Sequence, residues 1–317
     1  MKSLTRSETA AFLQEQNRFL ILTHRKPDGD TLGSAALLCR GLRQLGKTAY
    51  ILCNPEITPR YQGLVAGMTR EKPEETDTLL CVDVASPGQL PLVFREYQER
   101  ISLRIDHHGS ATPFTPVSLV DPKAAACAEI IYDVLKEMGA KLDEPMADAL
   151  YIGVSTDTGC FRYANTTANS YAVAADCAAV SKNLHSITQQ IFETNSLPRL
   201  RLQGYLVENA RFLLEGKAVL CLLPKVVERE LGVTEDDLDS IASFPRTIEG
   251  VKLSVLIRQD QADTVKFSVR GVPGWDASAL CSRFGGGGHK GAAGASVKMD
   301  MEAAAEAVEA AVKELFG

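Results

Sequence analysis

The chain has 317 residues, about two domains' worth at roughly 150 residues each, with an ordinary globular balance of 45% hydrophobic and 23% charged residues that disfavours disorder. Its net charge is −6, from 34 Lys and Arg against 40 Asp and Glu, and no basic run offsets it. That argues against a long grip on duplex nucleic acid and leaves room for a short ligand presenting one or two phosphates.

The first half alternates apolar runs with helical patterns. FLILTH (19–24), TAYILC (48–53), TLLCVDV (78–84) and ISLRID (101–106) are continuously apolar rather than alternating, which predicts strands covered on both faces in a parallel sheet. TLGSAALLCRGLRQLG (31–46) has helical spacing and ends at Gly46, a C-cap signal. Right-handed crossovers would align the strand C-termini along one edge, where an open parallel sheet builds its site. From about residue 123 the pattern turns helical, in KAAACAEIIYDVLKEMG, EPMADALYIGVSTDTG and NSYAVAADCAAVSKN. A further helix over about 196–213 is expected to connect two lobes. In the last third, KAVLCLLP, VKLSVLIRQ and TVKFSVRG read as strands, the last two as neighbours joined through DQAD. WDASALCSRF reads as a helix running into FGGGGHKGAAGA, and MEAAAEAVEAAVKELF as a closing Ala/Glu-rich helix. The expected fold class is α/β: a parallel-sheet domain over 1–190, a helical linker over 191–212 and a smaller α/β domain over 213–317.

The longest apolar stretches fall short of the roughly 18–20 residues that span a bilayer. The start, MKSLTRSETAAFLQEQ, lacks the apolar core of a signal peptide. The eight cysteines form no C-x-x-C pair and mostly sit inside apolar runs, so they read as small buried hydrophobes in a reducing compartment rather than as a zinc site. A soluble cytoplasmic protein is expected.

Four of the five histidines stand at strand ends or in a glycine loop beside Asp or Gly. Strand 19–24 ends in THRKPDGD, which carries His24, Asp28 and Asp30; strand 78–84 ends with Asp83; strand 101–106 runs into Asp106-His107-His108; ALYIGVSTDTG brings Asp157. In parallel strands the first three groups share one edge. Each motif alone has a plain structural reading: PDGD is a turn sequence, and an Asp ending a strand is often a helix N-cap. Together they predict two or three imidazoles and four or five carboxylates in one place, a concentration of charge that calls for cations. Mixed His/Asp ligation suits Mn²⁺, Fe²⁺, Co²⁺ or Zn²⁺, with donors enough for two ions. His185, without acidic neighbours, reads as a capping or packing residue.

In the run of glycines, Gly286, Gly287 and Gly288 allow backbone N–H groups to approach a ligand, and His289 can stack on a base or bond a phosphate. Arg258 and Arg270, in the adjoining strands, are candidate phosphate contacts; Arg283 and Lys290 are weaker ones. A flexible connection and solvated arginines are the plain alternatives.

HRKPDGDTLGS, VD, DHH and STDTG resemble the four signature motifs of the DHH phosphoesterases, and FGGGGHKGAAG resembles the signature of that family's associated C-terminal domain. The likeness runs from about residue 18 to 297 with all five motifs in order, and the layout is most similar to the small bifunctional oligoribonuclease/pAp phosphatases (pAp is 3′-phosphoadenosine 5′-phosphate), which implies that the smaller second domain binds substrate, with a cleft between the two. The resemblance implies a hydrolase with two Mn²⁺ ions per site, Mg²⁺ or Co²⁺ substituting. His24, Asp28, Asp83 and Asp157 would hold one ion; Asp30, Asp83, His107 and Asp157 the other. His108 would contact the scissile phosphate or leaving group, and Asp106 would orient a histidine. Many relatives carry an Asn about three residues after D-H-H, where this chain reads Gly109-Ser110-Ala111, which puts one polar substrate contact in doubt. Implied substrates are RNA of two to five nucleotides, pAp, and linear or cyclic dinucleotides, with no long duplex and no membrane; a homodimer is compatible with the layout. Alternative readings are a pyrophosphatase or exopolyphosphatase, a dinucleotide phosphodiesterase, and a non-enzymatic nucleotide-binding module.

Overall fold

The structure, a computed structural model, describes residues 2–109, 113–238, 240–261 and 263–317. It divides into two units, Met1–Thr194 and Asn195–Gly317. In the first unit, strands β1 (Lys2–Ser3), β2 (Arg18–Leu22), β3 (Thr48–Leu52), β4 (Thr69–Arg70), β5 (Thr78–Val82), β6 (Ile101–Asp106) and β7 (Val117–Val120) form one sheet in the order β1-β7-β6-β5-β2-β3-β4. Every pairing in it is parallel. The chain builds outward from β2 to β3 and β4, then returns to β5 and builds the other way. The reversal lies between β2 and β5, where an open α/β sheet opens a crevice at the strand C-termini.

The continuous apolarity of the strands has its reason in the packing. Phe19, Ile21, Leu80 and Val82 join the core under the helices, whereas Leu20, Leu22, Leu79 and Cys81 join a second cluster with Leu90, Phe94 and Ile101. That second face is covered by 3₁₀ turns at Pro87–Gln89 and Leu92–Arg100 rather than by a helical layer. Strands β1 and β4, two residues each, are too short to leave a sequence pattern.

The main helices of this unit are α1 (Arg6–Glu15), α2 (Gly29–Gln44), α3 (Pro59–Val65), α4 (Cys127–Glu137), α5 (Glu144–Asp157) and α6 (Ala168–Val180), followed by the short helical turns Leu184–Thr188 and Gln189–Glu193. α2 is capped by the Asp28 carboxylate, which accepts the Asp30 and Thr31 N–H groups, and Gly46 ends it with a positive φ of 79°. α2 and α5 cross at very short range: a Cβ on Gly33 would come within 2.5 Å of the Ala149 carbonyl, and one on Gly153 within 2.6 Å of Ala128 Cβ and 3.0 Å of Asp30 Oδ1. That close approach sets the start of α2 beside the end of α5. Residues 123–126, expected to begin a helix, are a loop instead, and α4 starts at Cys127. Its N-cap Ala126 has no side-chain oxygen; Asp30 serves from another helix, accepting the Cys127 N–H at 2.6 Å and the Ala128 N–H at 3.0 Å.

The second unit is a mixed sheet of β8 (Arg211–Leu213), β9 (Ala218–Leu223), β10 (Leu253–Gln261), β11 (Thr264–Gly271), β12 (Gly287–His289) and β13 (Ala292–Val297), ordered β12-β13-β11-β10-β9-β8. Helices Ala277–Ser282 and Met301–Phe316 cover one face, and helix Leu197–Glu208 buries Leu202 and Leu206 on the other. The helix expected over 196–213 therefore stops at Glu208. Arg211–Leu213 instead pairs antiparallel with β9, where the sheet edge offers ladder hydrogen bonds that a longer helix would forgo. Among the described residues no helix is long and apolar enough to cross a membrane.

Candidate metal centre

β6, β5 and β2 lie side by side and parallel, so the residues just beyond their C-termini emerge along one edge. Asp83 leaves β5 with a left-handed φ of 57°, a conformation Asp tolerates better than most residues and one common at functional sites. Its carboxylate is 3% exposed and central: Oδ2 lies 3.5 Å from His24 Nε2, and Oδ1 lies 3.5 Å from both His107 Nε2 and His108 Nδ1. Two further carboxylates approach His107 Nε2, Asp157 Oδ2 at 3.5 Å and Asp30 Oδ2 at 3.9 Å, while Asp28 Oδ1 lies 3.6 Å from His24 Nε2. The donor atoms thus form three groups, His24–Asp28–Asp83, Asp30–His107–Asp157 and Asp83–His107–His108, each spanning no more than 4.8 Å.

The ring orientations match ligation. His24 Nδ1 lies 2.8 Å from the Arg25 carbonyl and His107 Nδ1 lies 3.3 Å from that of Ala124. An N–H at each Nδ1 would leave both Nε2 lone pairs aimed at the carboxylates. Asp106 does a different job. Its Oδ1 accepts from the His107 and His108 backbone N–H groups and from His108 Nδ1 at 2.7 Å, which makes it the residue that orients His108.

Carboxylates about 5 Å apart repel by roughly 3 kcal/mol at an effective dielectric of 20, more than the ~1 kcal/mol of a typical hydrogen bond. Without cations the cluster must therefore keep protons. Burial, then the charges of Asp83 and Asp157, push the Asp30 carboxyl well above its usual range. Burial, then Asp83 and Asp28, do the same to Asp157. Burial opposes charging His24, but Asp28 and Asp83 outweigh it and raise its pKa well above the ordinary imidazole value. His108 is likewise lifted against burial, to about 9, chiefly by Asp106 and Asp83. Against burial, His108 also holds Asp106 below its usual value. Among the described residues, buried Asp83 Oδ1 has no hydrogen-bond partner. An orphaned oxygen between two imidazoles, within a mixed N/O donor set, fits a divalent cation.

These shifts predict how the metal-free protein responds to pH. Asp30, Asp157, His24 and His108 all have raised folded-state pKa values, so each favours the folded state fully below its unfolded pKa. That contribution is lost as pH climbs through the folded value. Asp106 works in the opposite sense, but only toward pH 4 and below. The melting temperature of chelator-treated protein should fall between about pH 5 and 9, and divalent ions should flatten the fall by replacing the protons. A metal-free melting curve independent of pH would contradict this account of the cluster.

The described residues thus bring together His24, Asp28, Asp30, Asp83, Asp106, His107, His108 and Asp157. Ser110 and Ala111, where many relatives were expected to differ, lie outside the described residues. His185 is exposed on the short helix Leu184–Thr188 rather than packed. In the second unit the ladder pairs His289 with Ala292, and Ala292 with Arg270, one row across three strands and hence one face of the sheet. The glycine run is no flexible connection: a Cβ on Gly288 would come within 2.6 Å of the Ala292 carbonyl and one on Gly286 within 2.2 Å of the Gly294 carbonyl, while Gly287 faces open space. Arg258 is not part of this row. It stands four residues along β10 from Ser254, the partner of Arg270, and its guanidinium forks onto Glu228 at 2.5 and 3.1 Å and onto Glu235 at 3.0 Å. Arg283 pairs with Glu314 at 2.8 and 2.9 Å. Sequence reasoning missed the Ala124–Ala128 segment, whose backbone grips both Asp30 and His107; an Ala-rich stretch carries no chemical signal.

Comparison with known proteins agrees with this architecture. The DHH family N-terminal domain matches residues 18–154 and the DHHA1 domain residues 220–315. The bifunctional oligoribonuclease and PAP phosphatase NrnA of Thermus thermophilus is 34% identical over 93% of this chain and 89% of its own length. The protein of the same name from Bacillus subtilis is 27% identical, over 87% of this chain and 89% of its own. In fold, the chain is similar to an exopolyphosphatase-related protein from Bacteroides fragilis, with a TM-score of 0.86 at 22% identity over 98% and 95% of the two chains. DHH phosphoesterases are metal-dependent, and the clustered histidines and aspartates are candidate ion sites of that kind. The chain belongs to the DHH family of phosphoesterases, with a DHH domain followed by a DHHA1 domain.

Proposed function

We propose that the protein is a Mn²⁺-dependent phosphohydrolase that cleaves RNA of two to five nucleotides to mononucleotides and dephosphorylates pAp. The observation that carries this reading is the strand-end cluster, in which Asp83 lies between the His24–Asp28 and His107 groups while Asp106 holds His108 beside them. Relatives named oligoribonuclease and PAP phosphatase support the substrate class. His24, Asp28, Asp83 and Asp157 would hold one ion, and Asp30, Asp83, His107 and Asp157 the other. Bound ions supply a water acidified toward neutral pH and a Lewis acid for the phosphoryl oxygens. The chain's own part is positioning and charge. Asp106 fixes the His108 ring through Nδ1 and favours its protonated form, so the opposite ring nitrogen can neutralise a phosphoryl or leaving oxygen. The His289–Ala292–Arg270 row, with Gly287 open beside it, suits a terminal nucleotide: imidazole for stacking, guanidinium for phosphate. Arg258, committed to Glu228 and Glu235, is better placed to tie its strand to helix Lys225–Leu231. Eight free cysteines, six of them buried, support a reducing cytoplasmic setting.

A substrate panel with Mn²⁺ tests this: pAp, RNA of 2, 5 and 24 nucleotides, cyclic dinucleotides and pyrophosphate, at low and moderate salt. With net charge −6 and no basic track, affinity should gain little per added nucleotide and show a salt slope of only about one or two phosphates. kcat/KM should be highest for pAp and the short RNAs and much lower for the 24-mer. Efficiency that rises with length and collapses with salt would mean an extended nucleic-acid track; turnover confined to pyrophosphate would mean a pyrophosphatase.

A further inference from the structure

Asp30, His107 and Asp157 come from three separate elements, and their convergence needs a reason. All three lead to the same short segment. The Ala124 carbonyl faces His107 Nδ1, and the Cys127 and Ala128 N–H groups bind the Asp30 carboxylate. A single amide ties this segment to Asp157. Asn165 Nδ2 donates to the Ala125 carbonyl at 3.1 Å and to the Asp157 main-chain carbonyl, also at 3.1 Å. The start of α6 in turn anchors Asn165. Thr167 caps that helix, and Asn169 and Ser170 in its first turn donate to buried Glu129 at 3.0 and 2.6 Å, on the first turn of α4. The His24–Asp28–Asp83 group is held by different partners: Asp28 caps α2, Asn54 Nδ2 donates to the His24 carbonyl at 2.9 Å, and Thr31 Oγ1 donates to the Val82 carbonyl at 3.1 Å.

We infer that Asn165 is a positioning residue, whose side-chain amide clamps the Ala124–Ala128 segment to the end of α5 so that Asp30 and His107, the ligands that belong to one ion alone, meet the shared Asp157. Both partners are carbonyls, so the clamp needs at least two N–H donors, which the carboxamide of Asn165 has and a hydroxyl or a carboxylate lacks. Asn165→Asp would set acceptor against acceptor, and Asn165→Ala would simply remove the clamp.

The inference rests on the two-ion reading, so the test titrates Mn²⁺ calorimetrically into metal-free protein, without substrate. Wild type should show two binding steps; one step or none would overturn the two-ion reading itself. In Asn165→Ala one step should weaken roughly 10–100-fold, the range for losing a partner that holds a metal ligand in place, and the other, which shares Asp83 and Asp157 but uses neither Asp30 nor His107, should weaken far less. Asn165→Asp should weaken the same step further; if it fails to fold, the alanine variant carries the test. The affected step should be the one lost in His107→Ala and retained in His24→Ala. Two unaltered steps in Asn165→Ala would overturn the assignment. So would two steps weakened equally alongside a lower metal-free melting temperature, the mark of a general structural role.

Discussion

Asp83→Ala is expected to abolish turnover in Mn²⁺ while leaving the chain folded. Its carboxylate belongs to two of the donor groups, with Oδ2 toward His24 and Oδ1 toward His107 and His108, so its loss disturbs both proposed ion positions at once. The fall in kcat/KM should exceed the roughly 10–100-fold that removing a mere supporting partner brings. The fold should tolerate the change because Asp83 is itself a buried charge beside other carboxylates: burial, and then Asp28 against His24, raise its pKa. Its deletion relieves the metal-free protein of repulsion. Near-wild-type kcat/KM in a folded Asp83→Ala protein would sink the two-ion proposal. A variant that does not fold would show that the carboxylate is needed structurally, against the electrostatic argument.

The second large effect is expected at a residue that need not touch the reacting phosphorus. His289→Ala should raise KM for dinucleotides and pAp with little change in kcat. Loss of one stacking contact is worth about 1–3 kcal/mol, or roughly 5- to 150-fold. His289 ends an edge strand held to β13 by the Gly287, Gly288 and His289 pairings, so the substitution removes a ring from a backbone that stays in place. A small generic phosphodiester, which has no second nucleotide to bind, should be cleaved as by wild type. Equal losses on both kinds of substrate would move His289 into the chemical step.

These two residues differ in how far sequence alone could carry them. The strand-end motifs were legible because each places ionisable residues at the close of an apolar run. In a parallel sheet such ends share an edge whatever the detailed packing. THRKPDGD, Asp83 and Asp106-His107-His108 therefore mark the cluster by residue type and position alone. The glycine run was legible as a candidate site by residue type, but not as to which partners stand beside it. Both Arg258 and Arg270 read as strand arginines near the loop. Register decides between them: Arg270 falls opposite Ala292 in the row of His289, and Arg258 falls at the far end against Glu228 and Glu235. A slip of register changes neighbours without changing a letter of the strand's own pattern.

The amino-acid sequence by itself determined the class of fold, the edge on which the site forms and the residue types that gather there, because hydrophobic periodicity and charge at strand ends are local properties. Only the tertiary structure decided how those residues are held. α2 and α5 approach at Gly33 and Gly153, within a distance that no Cβ permits. The start of α4 is capped by Asp30 from another helix, and Asn165 reaches across to two carbonyls that its own neighbours do not supply. Each of these joins backbone groups or small side chains far apart along the chain. Backbone N–H and C=O groups are the same in every residue but proline, so their long-range partners leave no mark in the order of side chains.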